Sequence, residues 1–370
     1  MTEREKEVFD LINSNPLISQ EEISEKLKIA RSSVAVHISN LMKKGYVLGK
    51  GYILKEAPYI AVIGGANIDI EGVPLGVLKM KDSNPGVVNK TFGGVAKNIA
   101  ENISKLGIDT KLITLVGGDS HGKDLIDYCR KKGIDTSYST MLERESTSIY
   151  ISILDEDRDM AVAISHMDIM TKMDIPFIKK RTSVIKGAVL CVVDTNIPLE
   201  TLEYLLKHFK ETKFIVDTVS LEKSKKLKNL LPYIDTLKPN KIEAEILSGI
   251  KISTREDTKN AAEIIIKKGV KNIFLSLGKE GVYYSNGTEM GFIETPEITV
   301  TTSTGAGDAF LAGVTYGKSE RKNIKKQVMY GVSASISVLT NSKIKENDID
   351  IDRINEILKE VKKCNSMKNI

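Results

Sequence analysis

The 370-residue chain, 41% hydrophobic and 28% charged, is long enough for one large globular domain plus a small one, and no apolar run is long enough to cross a bilayer. The charged start, MTEREKEVFD, lacks the apolar core of a secretory signal, so a cytoplasmic protein without membrane partners is expected. Three scattered cysteines, Cys129, Cys191 and Cys364, with no C-x-x-C spacing, argue against a disulfide framework or a zinc site, and the mild net charge of +5 is unevenly spread.

The first 55 residues read as three short helices and a β-hairpin. Glu3 to Asn13 carries Val8, Leu11 and Ile12 at helical spacing, and Asn15-Pro16 stops it. Ser19-x-x-Glu22 is a capping box for a second helix, with Ile23 and Leu27 on its apolar face. A third helix spans Ser32 to Lys43 with Val34, Ile38 and Leu41 inward, which would place Ser32, Ser33, His37 and Asn40 outward. Tyr46-Val47-Leu48 and Tyr52-Ile53-Leu54 flank a glycine turn as two strands. The arrangement is similar to the winged helix-turn-helix of bacterial transcription regulators. Between Lys26 and Lys55 stand Lys26, Lys28, Arg31, Lys43, Lys44, Lys50 and Lys55, with no acidic residue. DNA is therefore a candidate partner for residues 1–55, the third helix entering the major groove and Lys50 meeting phosphate. A basic appendage used for packing or oligomerisation has the same pattern. Glu56-Ala57-Pro58 reads as a linker.

From Tyr59 apolar strand runs alternate with amphipathic helices. Strands are expected at Tyr59 to Ile63, Lys111 to Val116, Ala188 to Val193, Phe214 to Val216 and Asn272 to Leu277. Helices are expected near Val95 to Leu106, Gly122 to Lys132, Leu199 to Phe209 and Thr258 to Lys268. This alternation implies an α/β domain over residues 59–370, a mainly parallel sheet covered by helices on both faces, with ligands at the carboxyl ends of the strands. Ser146 to Leu154 and Arg158 to Ile164 form a hairpin pattern with alternating faces. With Ile68 to Gly72 and Asn89 to Phe92 they make a small β lid drawn from about 67–92 and 146–165.

Four stretches carry candidate chemistry. The first strand exits through Gly64-Gly65-Ala66-Asn67-Ile68-Asp69, where Asn67 and Asp69 offer an amide and a carboxylate suited to paired hydroxyls. Gly93-Gly94-Val95-Ala96-Lys97-Asn98 opens a helix on two glycines and presents Asn98 one turn in. Gly and Asn are also the ordinary turn formers, so each stretch alone is compatible with a plain turn. Lys238-Pro239-Asn240-Lys241-Ile242-Glu243 opens another helix, with Asn240 placed to cap it and Glu243 suited to magnesium through water. The fourth, Thr302 to Phe310, reads TSTGAGDAF between a β-prone run and an apolar helix. Gly305 and Gly307 leave the helix N–H groups open to an anion, and Asp308 in the first turn can take a proton from a hydroxyl. A tight turn with a carboxylate favouring the helix dipole is the simpler alternative for that motif by itself.

Standing in one order, these four motifs resemble the PfkB, or ribokinase-like, family of sugar and nucleoside kinases from Tyr59 to the C-terminus. Within it the likeness is closest to the pseudouridine kinase branch, carried by Asp82-Ser83-Asn84-Pro85-Gly86, by LKPNKIEAEILSGI from Leu237 to Ile250, and by Ser276-Leu277-Gly278 with Gly281-Val282-Tyr283-Tyr284-Ser285. The resemblance implies an ATP- and Mg2+-dependent kinase acting on the 5′-hydroxyl of pseudouridine, with another sugar or nucleoside kinase, or a ligand-sensing regulator, as alternatives. It implies Asp308 as the base, and the amides of Gly305, Ala306 and Gly307 as the anion hole. It places Asp69, Gly93, Gly94 and Asn98 on the ribose hydroxyls, with Asn67 adjacent and Asn196 as a further sugar-binding residue. Asn240 and Glu243 fall to the nucleotide phosphates and magnesium, Ser276, Gly278 and Gly281 to ATP, and Gly331 to Ser337 to the adenine. A homodimer through the lid is implied as well. The family often has Asp where this chain has Thr302, which puts a monovalent cation site in question.

Overall fold

The computed structural model describes residues 1–49, 57–301, 305–340 and 349–366. The second hairpin strand Tyr52–Leu54, with Lys50, Lys55 and Thr302, lies outside the described residues. The chain divides into two compact units, Met1–Pro58 and Tyr59–Ile370.

In the first unit α1 (Glu3–Ser14), α2 (Gln20–Leu27) and α3 (Arg31–Lys43) enclose a core of Val8, Ile12, Ile18, Ile23, Val34, Ile38, Leu41 and Val47. Thr2 and Ser19 complete capping boxes with Glu5 and Glu22, which satisfies the first free N–H groups of two helices too short to persist alone. Lys44 ties the end of α3 to Glu5 of α1 at 2.7 Å. The outward face of α3 differs from the expected one. Ser32, Ala35, Val36, Ser39 and Lys43 are exposed, whereas Ser33, His37 and Asn40 sit half-buried on its flanks. With Val34, Ile38 and Leu41 inward, 100° per residue carries positions 32, 36, 39 and 43 furthest from the core.

The second unit has strands β1 (Tyr59–Ile63), β2 (Asn67–Pro74), β3 (Gly86–Gly93), β4 (Asp109–Ile113), β5 (Leu115–Gly117), β6 (Ile134–Asp135), β7 (Thr140–Leu142), β8 (Ile149–Leu154), β9 (Met160–His166), β10 (Leu190–Asp194), β11 (Phe214–Asp217), β12 (Thr236–Lys238), β13 (Asn272–Ser276), β14 (Val282–Ser285) and β15 (Met290–Ile293). Between and after them come α4 (Val95–Lys105), α5 (Ser120–Lys131), α6 (Ile175–Lys179), α7 (Thr182–Gly187), α8 (Leu199–His208), α9 (Leu221–Ser224), α10 (Lys241–Ser248), α11 (Arg255–Lys267), α12 (Ala306–Ser319), α13 (Ile324–Leu339) and α14 (Ile351–Ser366).

Nine strands form the main sheet in the order β15-β14-β13-β12-β11-β10-β1-β4-β6, parallel from β13 to β6 with β14 and β15 antiparallel at one edge. Every residue of β1, β10 and β11 is buried, as unbroken Val/Ile-rich runs covered on both faces must be. Alternate residues of these strands feed two cores: Ala61, Ile63, Cys191 and Val193 on one face, and Ile60, Val62, Leu190 and Val192 on the other. The expected strand Lys111 to Val116 splits, because β4 ends at Ile113 and β5 leaves to pair with β7.

The lid is a four-stranded sheet in the order β3-β2-β8-β9, with β2 and β8 parallel. The alternating hairpin pattern did not produce the one-sided burial it suggests. Val87, Val88, Met160, Val162 and Ile164 are exposed, while Lys90 and Phe92 of β3 meet His121, Asp124 and Tyr128 of α5. Among the described residues no helix is long and apolar enough to cross a membrane.

Candidate active site

Strand β1 ends where glycine is required. Gly64 has φ +151°, and a Cβ built there would lie 2.4 Å from Cγ of Asp194. The chain turns into β2, where the Asn67 amide donates to Asp69 Oδ1 at 2.5 Å. Gly93 stands opposite Asn67 in the β2–β3 register, and a Cβ on it would fall 2.0 Å from Asp69 Oδ2. Gly94, at φ +98°, brings the backbone against Ala66, and α4 then begins on this residue, which has no side chain of its own to cap the helix. Asn98, one turn in, donates from Nδ2 to Asp308 Oδ2 at 2.9 Å. Asn67, Asp69, Gly93, Gly94 and Asn98 are thus gathered in one place and joined to Asp308. Burial pushes the half-buried Asp69 carboxyl up, against the Asn67 hydrogen bond and the charge of Lys97.

Asp308 lies in the first turn of α12. Gly305 occupies the N-cap at φ +82° and among the described residues no side chain caps the helix; the N–H groups of Ala306, Gly307 and Asp308, in its first turn, have no intrahelical partners. Asp308 is half-buried and sits among dense protein. Its carboxyl is pushed up to about 7 by that burial and by the negative charge of Asp217, while the Asn98 hydrogen bond, Lys238 and Lys97 restrain it. Lys238 completes the cluster. Its ammonium is held by Asp217 Oδ2 at 3.0 Å and lies 3.2 Å from where a Cβ of the exposed Gly307 would be. Burial opposes its charge, but Asp217, Asp308 and Glu243 together hold its affinity for the proton above the ordinary value.

Asn240 caps α10, accepting from the Glu243 N–H at 2.9 Å. Glu243 Oε2 in return accepts from the Asn240 N–H and the Thr218 hydroxyl, so the plain capping role is present in full. Among the described residues Glu243 Oε1 accepts no hydrogen bond. One such oxygen fits a magnesium ion that keeps most of its water and is held by substrate phosphates. Among the described residues no cluster of three or more His, Cys, Asp or Glu could hold a metal.

Ser276 pairs with Asn240 in a parallel bridge and donates to Pro239 O at 3.0 Å. Gly278 and Gly281, both at positive φ, shape the turn between β13 and β14, without a hydrogen bond to the Asp308 cluster. The span from Gly331 to Ser337 lies within α13, buried except for Ser335, whose hydroxyl donates to Ala306 O at 2.8 Å. Both ends of the Asn196 amide are engaged, Nδ2 with Asp194 and Oδ1 with the Lys223 ammonium at 2.6 Å.

Three residues received no role in the motif reading: Asp194 and Asp217, which lie outside the motifs, and Lys238, which opens one of them. They are the last residues of β10, β11 and β12, and they are register partners across those strands. Charged residues ending apolar parallel strands were the available signal, because ligands gather at those ends.

An α/β sheet with a β lid, a carboxylate at an uncapped helix N-terminus and a glycine-shaped polar loop facing it define a small-molecule kinase of ribokinase-like fold. Residues 57–349 match the pfkB family of carbohydrate kinases, and the chain belongs to that family of sugar and nucleoside kinases. Residues 1–47 match a winged helix-turn-helix DNA-binding family. The chain is 36% identical to the uncharacterized sugar kinase YeiI of Escherichia coli K12 over 92% of this chain and 95% of that protein. It is 38% identical to the pseudouridine kinase of the same organism over 70% of this chain and 84% of that one. The solved structure of ribokinase from Thermotoga maritima superposes with a TM-score of 0.72 at 25% identity, covering 82% of this chain and all of that one.

Proposed function

We propose that the chain transfers the γ-phosphoryl group of ATP to the 5′-hydroxyl of pseudouridine. The observation that carries this reading is the Asn98–Asp308 hydrogen bond, which sets a hydroxyl-binding loop against a carboxylate at a free helix N-terminus. Asp69 and Asn98 hold the ribose hydroxyls, with Asn67 beside them, and aim the acceptor. Asp308 takes its proton as the oxygen attacks, and the amides of Gly305, Ala306 and Gly307 with the Lys238 ammonium meet the charge on the transferred group. Glu243 and Asn240 serve the nucleotide end, where bound magnesium would neutralise phosphate charge. The 38% identity to a pseudouridine kinase supports this acceptor, and the equally near sugar kinase makes a free sugar the runner-up.

The test is ADP release with ATP and magnesium on pseudouridine, uridine, adenosine, ribose and fructose, with and without potassium. Turnover on pseudouridine but not uridine is expected, because only the former offers an additional ring N–H for a hydrogen bond. Turnover on another member alone would keep the mechanism and discard the substrate.

A second role is favoured by the N-terminal unit. Lys26, Lys28, Arg31 and Lys43 form no ion pair among the described residues, on a unit that matches DNA-binding modules. DNA is the proposed partner. The exposed apolar residues of β3 and β9 support a homodimer through the lid.

A further inference from the structure

Asp194 is fully buried at the end of β10 and touches neither the base nor the anion hole, yet four donors converge on its carboxylate. Oδ2 accepts from the Gly65 N–H at 2.9 Å, the Ala96 N–H at 3.0 Å and the Asn196 amide Nδ2 at 2.9 Å. Oδ1 accepts from the Asn196 N–H at 2.9 Å. The two loop amides come from different parts of the chain. Gly65 belongs to the exit of β1, two residues before Asn67 and four before Asp69. Ala96 is in the first turn of α4, two residues before Asn98. The same two segments also meet through the β2–β3 ladder, which sets Asn67 opposite Gly93, through Gly94 against Ala66, and through the Lys97 N–H and Gly65 O at 3.3 Å; the carboxylate adds the tie between the turn at Gly65 and the first turn of α4.

We propose that Asp194 is a positioning residue that fixes the two acceptor-binding segments against each other. One oxygen shared by Gly65 and Ala96 completes, beyond the β2–β3 ladder, the spacing between the Asn67/Asp69 pair and Asn98, hence the spacing of the hydroxyls they can hold. Gly64 follows from the same requirement, since any Cβ there would collide with the carboxylate. Burial and the charge of Asp217 push the Asp194 carboxyl up while its hydrogen bonds restrain it; the four N–H groups aimed at it need acceptor oxygens, and an amide in its place would aim an N–H at one or more of them. This assignment rests on the acceptor-site reading above, and it predicts a defect confined to one substrate.

The test measures binding of pseudouridine, ribose and ATP to wild type, Asp194→Asn and Asn196→Ala by calorimetry, together with turnover. Asp194→Asn should weaken the acceptor about 10- to 100-fold, as expected for a lost or reversed hydrogen-bond set worth a few kcal/mol, and leave ATP affinity within about 2-fold. Asn196→Ala, which keeps both loop amides on the carboxylate, should weaken the acceptor several-fold and also spare ATP. Equal losses of acceptor and ATP affinity, or unchanged acceptor affinity, overturn the proposal. If Asp194→Asn does not fold, Asp194→Glu, which keeps the charge but displaces the oxygen shared by Gly65 and Ala96, decides by the same criterion. A wild type that binds a nucleoside or sugar but turns over none overturns the kinase reading while the binding comparison still decides the role of Asp194.

Discussion

Asp308 combines two properties that a pH series separates. Its carboxyl, ordinarily near 3.8, sits at about 7 in the folded protein, because burial and Asp217 disfavour its charge. As the proposed base, Asp308 must be ionised to accept a proton, so kcat/KM should fall about tenfold per pH unit below roughly 7 and level off above it. Replacing Asp217 with Asn removes the opposing charge and frees Lys238 toward Asp308. Both changes lower the carboxyl, and the acid limb should move to lower pH; an unmoved limb would mean that another group sets it. Asp308→Asn should nearly abolish turnover while ATP still binds. It should also stabilise the protein in a pH-dependent way. In the unfolded chain the carboxyl loses its proton near its ordinary value, in the folded chain only near 7, so between these the native state holds more protons and wild-type stability falls as pH rises. The melting-temperature advantage of Asp308→Asn should therefore grow from pH 4 to pH 7 and then stay constant. An advantage independent of pH would contradict the raised carboxyl.

At the scale of elements, α12 is held in place by α13. Gly331 lies where the two helices meet, and a Cβ on it would stand 2.8 Å from the Phe310 ring and 2.9 Å from Val314. Gly331→Ala should then cost about 1–3 kcal/mol of stability despite alanine's better helix propensity, a fall of several degrees in melting temperature. Unchanged melting would show that the helices shift apart freely. The role of Gly331 as a packing glycine was not visible in the sequence, where its stretch resembled a nucleotide contact. By contrast, the parallel strands were legible because they are continuous apolar runs, and the glycine motifs because they sit where strands become helices. What stayed hidden was lateral. Asp194, Asp217 and Lys238 are 21 or more positions apart along the chain and become neighbours only through strand register. The lid was legible as strands but not as a sheet that leaves Val87, Val88, Met160, Val162 and Ile164 exposed, since alternation shows which side is apolar and not what covers it. On α3 the inward residues were identified correctly, while the outward set shifted by a residue or two because flank positions are easily taken for the crest.

For the whole molecule, the chemistry and the basic surface fall in different units. Every residue assigned to phosphoryl transfer lies between Asn67 and Asp308, within the carbohydrate kinase match, whereas Lys28, Arg31 and Lys43 are exposed on the N-terminal unit. If those three cations meet DNA phosphates, each releases condensed counterions, and the logarithm of affinity falls with the logarithm of salt by about 0.9 per contact. Neutralising all three in the full-length chain should flatten that slope by about 2 to 3 in mobility-shift titrations on genomic fragments. Kinase turnover and melting of the large unit should be unchanged. A slope that stays the same would place the phosphate contacts elsewhere, and an absence of binding at low salt by the unaltered chain would leave the basic face to packing. Where binding is found, the titration repeated with saturating acceptor tests communication between the units: a ligand moves DNA affinity only if it binds the DNA-bound and free forms differently, and the same factor must then appear in acceptor affinity when DNA is added.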